Sequence, residues 1–188
     1  MGELLPTRDE AWALLCEWTA SPGLRAHALA VEAAMRSYAR NSGESEEYWG
    51  NVGLLHDFDY ERYPDAADHP LKGAEELRRR GYDESFVRAV LSHADYLGLA
   101  RNTNAEKTLF AVDELCGLIM ATAMVMPGRS LAEVTAEAVL KKMKSKGFAR
   151  KVNREDIVRG TEGLGIPLET HVSNVVRALQ GIAATLGL

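Results

Sequence analysis

The chain has 188 residues, of which 46% are hydrophobic and 26% charged, an ordinary balance for a soluble globular protein with one sizeable core. Its net charge of -5 argues weakly against general nucleic-acid binding. No run approaches the length of a membrane span, and the N-terminal stretch MGELLPTRDE lacks the basic and apolar segments of a secretory signal. We therefore expect a cytoplasmic protein that has no membrane attachment and forms no stable complex with nucleic acid.

Apolar residues recur at helical spacing along most of the chain. The segments are separated by residues that favour helix starts and by Gly or Pro, which end helices. They predict eight or nine helices, over residues 7–20, 24–40, 44–58, 70–80, 84–93, 105–126, 131–143, 152–164 and 167–186. The segment 105–126 is apolar on most sides and should be the central, most buried helix. Alternating strand patterns are absent, so the fold class is all-α with a single domain over residues 1–188.

Cysteine usage gives no sign of a disulfide framework. Cys16 and Cys116 are the two cysteines, and both lie in apolar helical patterns. One remote pair is better explained as free, buried thiols in a reducing cytoplasm.

Two aspartates stand in apolar surroundings, where a charged carboxylate is costly unless it is paired or bound to a cation. Asp57 follows His56 at the end of the apolar run Leu54-Leu55, and Asp113 lies midway along the most apolar helix. An imidazole nitrogen beside a carboxylate oxygen is a donor set for a divalent metal. For Asp113 alone, a buried ion pair is an equally physical explanation.

Four of the five histidines fall between positions 27 and 93. His27 points inward with the apolar stripe of its helix, which by itself indicates a hydrogen-bonded core histidine. His69 precedes Pro70 at a helix start, and His93 stands at a helix C-terminus, where a protonated imidazole is favourable. His171, among apolar residues near the C-terminus, is interpreted as structural or surface-exposed. Only the conjunction of these residues with the two aspartates indicates a metal site.

The order His27, His56-Asp57 and Asp113 resembles the HD superfamily of metal-dependent phosphohydrolases, all-helical proteins named after a His…His-Asp…Asp ligand set. The segment from His69 to Ala74, HPLKGA, is similar to the H-P-x-x-G-A segment of the HDIG subgroup. His93 falls where that subgroup and the dinuclear HD-GYP enzymes place further ligands. The resemblance implies an HD-like metal-binding core over about residues 24–126 and a C-terminal helical extension over about 127–188.

The resemblance also implies a cofactor of one or two divalent transition-metal ions, with Mn, Fe, Co, Ni or Zn better suited than Mg to several imidazoles. The implied metal ligands are His27, His56, Asp57, His69, His93 and Asp113. If His69 and His93 hold a second ion, Asp57 is the natural bridge; with one ion, His69 or Asp95 could act as general acid or base. The expected reaction is hydrolysis of a nucleotide or other small phosphorylated substrate by a metal-activated water.

The chain departs from the subgroup pattern directly after the pair. Phe58-Asp59 replaces the Ile-Gly of HDIG, and the double histidine of HD-GYP proteins is His93-Ala94 here, with Asp95 following. These departures leave open a non-catalytic sensor that binds nucleotide or metal. A diiron oxygenase is a further alternative that the resemblance implies, because some HD-fold proteins with extra histidines use iron and dioxygen. Asp59 is expected to support the site from outside the ligand set or to be structural.

Positive charge is concentrated between Lys141 and Arg154, where seven cations occur without an acid. A solvated helix end explains part of this run, and a rim that attracts phosphate explains it equally well. Arg25 and Lys72 adjoin proposed ligands and are closer candidates for direct phosphate contact. The candidate phosphate-binding residues are Arg25, Lys72, Lys142, Lys144 and Lys146.

Overall fold

The structure, a computed structural model, describes residues 4–188. Residues 1–3 lie outside the described part, and with them the start of the predicted domain and of the stretch predicted to lack a secretory signal. The helices are α1 (Arg8–Trp18), α2 (Pro22–Ser42), α3 (Glu46–Leu55), α4 (Leu71–Arg79), α5 (Glu84–Leu91), α6 (Asn104–Met124), α7 (Ala136–Met143), α8 (Arg154–Leu164), α9 (Leu168–Gln180) and α10 (Ala183–Leu186). No strand occurs in residues 4–188, and the predicted all-α class is confirmed.

Two predicted helices are interrupted, and the break in the last one gives ten α-helices in the described chain where eight or nine were expected. The last one divides at Gly181, a residue with low helix propensity, so that α9 ends at Gln180 and α10 begins at Ala183. The segment 131–143 begins as a 3-10 turn and restarts as α7. Thr135 causes the restart, since its side chain accepts a hydrogen bond from the Ala138 N–H at 3.2 Å.

The longest apolar segment forms the centre of the fold, as its sequence predicts. α6 packs against α2, α3, α5, α7, α8 and α9, and a capping box between Thr103 and Glu106 fixes its first turn. Because α2 also packs against α3, the His27 face of α2 lies between the middle of α6 and the end of α3.

Helix ends supply most of the candidate site. α3 ends at Leu55, earlier than predicted, so His56 caps it and Asp57 lies in the following turn. His69 precedes α4, and His93 follows α5. None of the helices in the described chain is long and apolar enough to cross a membrane. Both cysteines are free; Cys116 is buried and Cys16 is half-buried.

Candidate metal centre

Three predicted ligands from different elements form a first group: His27 in α2, His56 at the end of α3 and Asp113 in α6. The Asp113 Oδ1 atom lies 3.0 Å from Nε2 of His27 and 3.4 Å from Nε2 of His56. His56 is completely buried. The packing of α2 against α6 therefore brings His27 and Asp113, which are 86 residues apart in sequence, into one set of possible metal ligands.

The other three predicted ligands, Asp57, His69 and His93, form a second group. The Asp57 Oδ1 atom lies 3.2 Å from Nε2 of His69 and 3.2 Å from Nε2 of His93. Its other oxygen, Oδ2, lies 3.5 Å from Nε2 of His56 in the first group. Asp57 thus faces both groups, one oxygen toward each.

In His56, His69 and His93, the ring nitrogen that points away from the site, Nδ1, is held by a hydrogen-bond acceptor. Nδ1 lies 2.8 Å from the Gly53 carbonyl in His56, 2.7 Å from the Val90 carbonyl in His93, and 2.8 Å from Oδ1 of Asp59 in His69. Carbonyl and carboxylate oxygens only accept, so each Nδ1 carries a proton and donates. In the neutral rings, Nε2 therefore presents a lone pair to the site, the tautomer that metal-binding histidines use.

The inward nitrogens of the three rings have incomplete or crowded surroundings among the described protein atoms. His56 Nε2 is buried and has no hydrogen-bond partner, which is costly for a polar atom. The Nε2 atoms of His69 and His93 face each other at 3.3 Å, where two lone pairs repel unless a proton or a cation lies between them. A divalent ion in each group would satisfy all three nitrogens.

Ligand spacing gives a separate test of fit. Two ligands bound at about 2.1 Å from one ion are separated by roughly 3.0–3.5 Å at tetrahedral or octahedral angles. Five of the six pairs within the two groups span 3.0 to 3.4 Å, and the ligand atoms of each group all lie within 4.8 Å of one another. The residues therefore fit divalent metal in number, chemistry and spacing.

Without metal, protons are bound at the imidazole nitrogens that face the site. Burial disfavours the charged ring of His56, but the charges of Asp57 and Asp113 outweigh it and raise the pKa to about 9. Burial likewise opposes charge on His69, and its bonds to Asp57 and Asp59 raise its pKa to about 9. Burial would raise the pKa of both Asp57 and Asp113, yet the neighbouring imidazoles lower it.

Asp59 supports the second group from outside it. Its side chain is buried, with Oδ1 accepting from Nδ1 of His69 and Oδ2 accepting from the Gly73 N–H at 2.7 Å. A β-carbon at Gly73 would lie 2.9 Å from both Asp59 Cγ and Phe58 Cε1, so only glycine allows this approach. The glycine of the HPLKGA segment thus seats the carboxylate that orients His69.

A cavity of about 330 Å³ opens onto the second group. Its walls carry the carboxylates of Asp57, Asp95, Asp113, Glu114 and Asp156. Burial, reinforced by the charge of Asp113, raises the pKa of Glu114 to about 7. Such a wall repels an anionic ligand unless cations are bound in it.

Two of the candidate phosphate-binding residues do not line this cavity. Arg25 donates from Nε to the Thr19 carbonyl at 2.6 Å and from Nη2 to the Cys16 carbonyl at 3.0 Å, so it caps the end of α1. Lys72 pairs with Glu75 at 3.0 Å on a groove that the metal cavity does not share. Adjacency in sequence to a ligand did not bring either side chain into the cavity.

The basic run does not line the cavity either. Lys144 and Lys146 are exposed, and the Lys142 ammonium lies 4.7 Å from the centroid of the Phe148 ring. None of the three belongs to the cavity wall, and phosphate contact by these lysines stays a prediction. Their charges follow α7 into the loop before α8, where solvent surrounds them.

Asp95 lines the cavity but belongs to neither ligand group. Arg159 holds it at 2.8 Å and Arg101 at 3.1 Å, and these bonds lower its pKa. A carboxylate held ionised by two arginines neither donates a proton at neutral pH nor accepts one readily. These contacts disfavour Asp95 as the general acid or base, and its catalytic role stays a prediction.

Several wall residues were not among the predicted site residues. Tyr60, Tyr96 and Asp156 line the cavity, and the Tyr96 hydroxyl donates to the His69 carbonyl at 2.7 Å. Tyr60 follows the His-Asp pair closely enough to be suspected. Asp156 reaches the wall only because α8 packs on α6, a contact that no local pattern indicates.

The remaining histidine is structural, as interpreted. His171 is buried in α9, with Nδ1 2.6 Å from the Tyr38 hydroxyl and Nε2 2.9 Å from the Ala111 carbonyl. Both ring nitrogens are therefore satisfied by protein atoms, unlike those of His56.

Comparison with known families agrees with this site. The family model of the HD domain matches residues 24–118, a range that contains every residue of both groups. The chain belongs to the HD domain family, which defines a superfamily of metal-dependent phosphohydrolases. No curated protein and no solved structure matches the chain. The finer HDIG-like assignment stays a prediction.

Proposed function

We propose that the protein is a metal-dependent phosphohydrolase acting on a nucleotide or another small phosphorylated compound. The observation that carries the proposal is Asp57, whose two oxygens face two separate histidine-containing groups. Asp57 with His69 and His93 would hold one ion, and His27, His56 and Asp113 another. Bound divalent ions supply positive charge that polarises a phosphoryl oxygen and acidifies water.

The residues around the groups define what the chain itself contributes. Asp59 keeps the His69 proton on Nδ1, and the Gly53 and Val90 carbonyls do the same for His56 and His93. The cavity volume of about 330 Å³ is at the lower end of ligand pockets, which favours a small substrate. Apolar walls at Pro64, Ala66 and Phe110 limit water around it.

The test is purification with metal analysis, followed by hydrolysis assays on a panel of nucleotides and sugar phosphates. We expect up to two ions per chain and phosphate release that requires Mn, Fe, Co, Ni or Zn. A chain that retains no metal after reconstitution would contradict the proposal. Asp9→Asn, in the exposed first turn of α1, is the control for preparation effects and should keep both properties.

The same preparation separates the two alternatives. A sensor would bind nucleotide tightly and release no phosphate with any of these metals, even in a single turnover. A diiron oxygenase would consume dioxygen and change its absorption spectrum when the iron-loaded protein is exposed to air.

A further inference from the structure

A second cavity, of about 200 Å³, lies between α6, α8 and the loop that precedes α6. Its walls are Arg101, Lys107, Phe110, Arg159, Gly160 and Gly163, and these define the α6–α8 cavity. Three of the six are cations and none is an acid. This composition is the opposite of that of the metal cavity, and it is suited to an anion.

Lys107 supplies a charge with no acidic partner. Its side chain is partly buried in α6, and no ion pair or side-chain hydrogen bond forms to it within residues 4–188. Arg159 makes its contacts with Asp95 and Asp156 from Nη2 alone, so its Nε and Nη1 groups are left for a ligand. The cavity therefore offers donors beyond those that its own structure uses.

The two cavities adjoin at one side chain. Phe110 lines both of them, and the guanidinium carbons of Arg101 and Arg159 lie 3.5 and 5.4 Å from its ring centroid. Asp95, on the wall of the metal cavity, is bound by the same two arginines. A ligand that passes Phe110 would thus move from the metal groups to a cluster of cations.

We propose that the α6–α8 cavity binds a second anionic group of the substrate, so that the substrate class is a small compound with two separated phosphates or other anions. This rests on the proposed phosphohydrolase function. The phosphoester that is cleaved lies at the metal groups, and the distal anion lies against Lys107 and Arg159. The distal site orients the substrate and selects for its second charge.

One of the two glycines of α8 that line the cavity can be substituted to close it without disturbing the fold. A β-carbon at Gly160 would lie 2.5 Å from Ala111 Cα, so this position must stay glycine for α8 to pack on α6. A β-carbon at Gly163 meets no heavy atom within 4 Å. Gly163→Leu therefore fills open space at the cavity wall, and Gly163→Ala is its matched control.

The experiment is calorimetric binding to the full-length, metal-loaded protein, with non-hydrolysable phosphonates as probes. Butylphosphonate carries one anionic group, and a series of alkane bisphosphonates of increasing chain length carries two. We expect one length to bind about tenfold more tightly than butylphosphonate. Lys107→Met and Gly163→Leu should each remove most of that advantage, while Gly163→Ala and the exposed Lys141→Met retain it.

Equal affinity for monophosphonate and every bisphosphonate would overturn the proposal, and so would an advantage that survives both Lys107→Met and Gly163→Leu. Inorganic phosphate distinguishes a free anion from a substrate group. If it binds in a Lys107-dependent manner while no bisphosphonate gains affinity, the cavity holds a separate anion and the substrate assignment is rejected. Because these readouts need no turnover, a protein that shows the bisphosphonate advantage but hydrolyses nothing would contradict the phosphohydrolase function alone.

Discussion

The two ligand groups are built in different ways. His27 and Asp113 of the first group project from the interiors of α2 and α6, and His56 caps α3. Asp57, His69 and His93 of the second group all lie in turns next to helix ends. The first group is therefore fixed by core packing, and the second by local hydrogen bonds such as those of Asp59 and Tyr96.

This difference implies that the groups respond differently to substitution. A change in the second group should alter metal binding while leaving the helix packing intact, since its residues are not part of the central helices. Asp57 is the exception because its oxygens face both groups.

The largest effect is expected where the two groups meet. Asp57→Asn keeps the shape of the side chain but removes the charge that both groups need. Loss of several kcal/mol of charge stabilisation corresponds to a fall in activity of about 10³-fold or more. Elemental analysis should show that the content of both ions per chain falls. Retention of two ions with full turnover would show that Asp57 does not join the groups.

Acidification should weaken both groups together. The pKa values of His56 and His69 are raised to about 9, so each must lose a proton before its Nε2 can bind metal. In the metal-free protein these raised values stabilise the fold below the unfolded pKa of about 6.5, and that stabilisation is lost as pH rises toward 9. Metal affinity therefore rises with pH, by up to about tenfold per unit for each proton released.

The measurement is the increase in Tm on adding saturating Mn or Zn at several pH values between 6 and 8. We expect the increase to grow steadily with pH. A constant increase would mean that neither His56 nor His69 gives up a proton when metal binds. Neither group would then be the place where the metal binds.

The fold and the clustering of the candidate ligands were predictable for a shared physical reason. Helices leave a strong apolar period in sequence, and a buried Asp57 or Asp113 conflicts with its surroundings unless a partner neutralises it. The phosphate candidates Arg25 and Lys72 were chosen by adjacency, but neighbouring residues on a helix point in different directions. Arg159 and Asp156 could not be found at all, because only the packing of α8 on α6 brings them to the cavities.

A smaller and more selective effect is expected from Asp59. Asp59→Asn keeps an acceptor for the Gly73 N–H but places an amide NH2, which cannot accept, against the donating Nδ1 of His69, so the hydrogen bond that orients His69 is lost. Removal of such an outer partner of a metal-binding histidine reduces metal affinity by roughly 10–100-fold. Competitive titration against a chelator should show that the affinity for one ion falls and the affinity for the other is unchanged. Equal weakening of both would mean that the groups do not bind independently.

The smallest effect on the site should come from the histidine that lies outside both groups. Burial lowers the pKa of His171, so its ring is neutral, donating from Nε2 to the Ala111 carbonyl and accepting the Tyr38 hydroxyl at Nδ1. His171→Ala removes two buried hydrogen bonds, one to each partner, at a cost of about 2 kcal/mol, or roughly 4–8 °C in Tm for a chain of this size. Thermal unfolding should show that loss while metal content stays at the wild-type level, because every nitrogen of His171 already has a protein partner. A fall in metal content would show that α9 is coupled to the metal groups. The contrast between His171, whose ring nitrogens have protein partners, and His56, whose Nε2 has none, would then not explain which histidine binds metal.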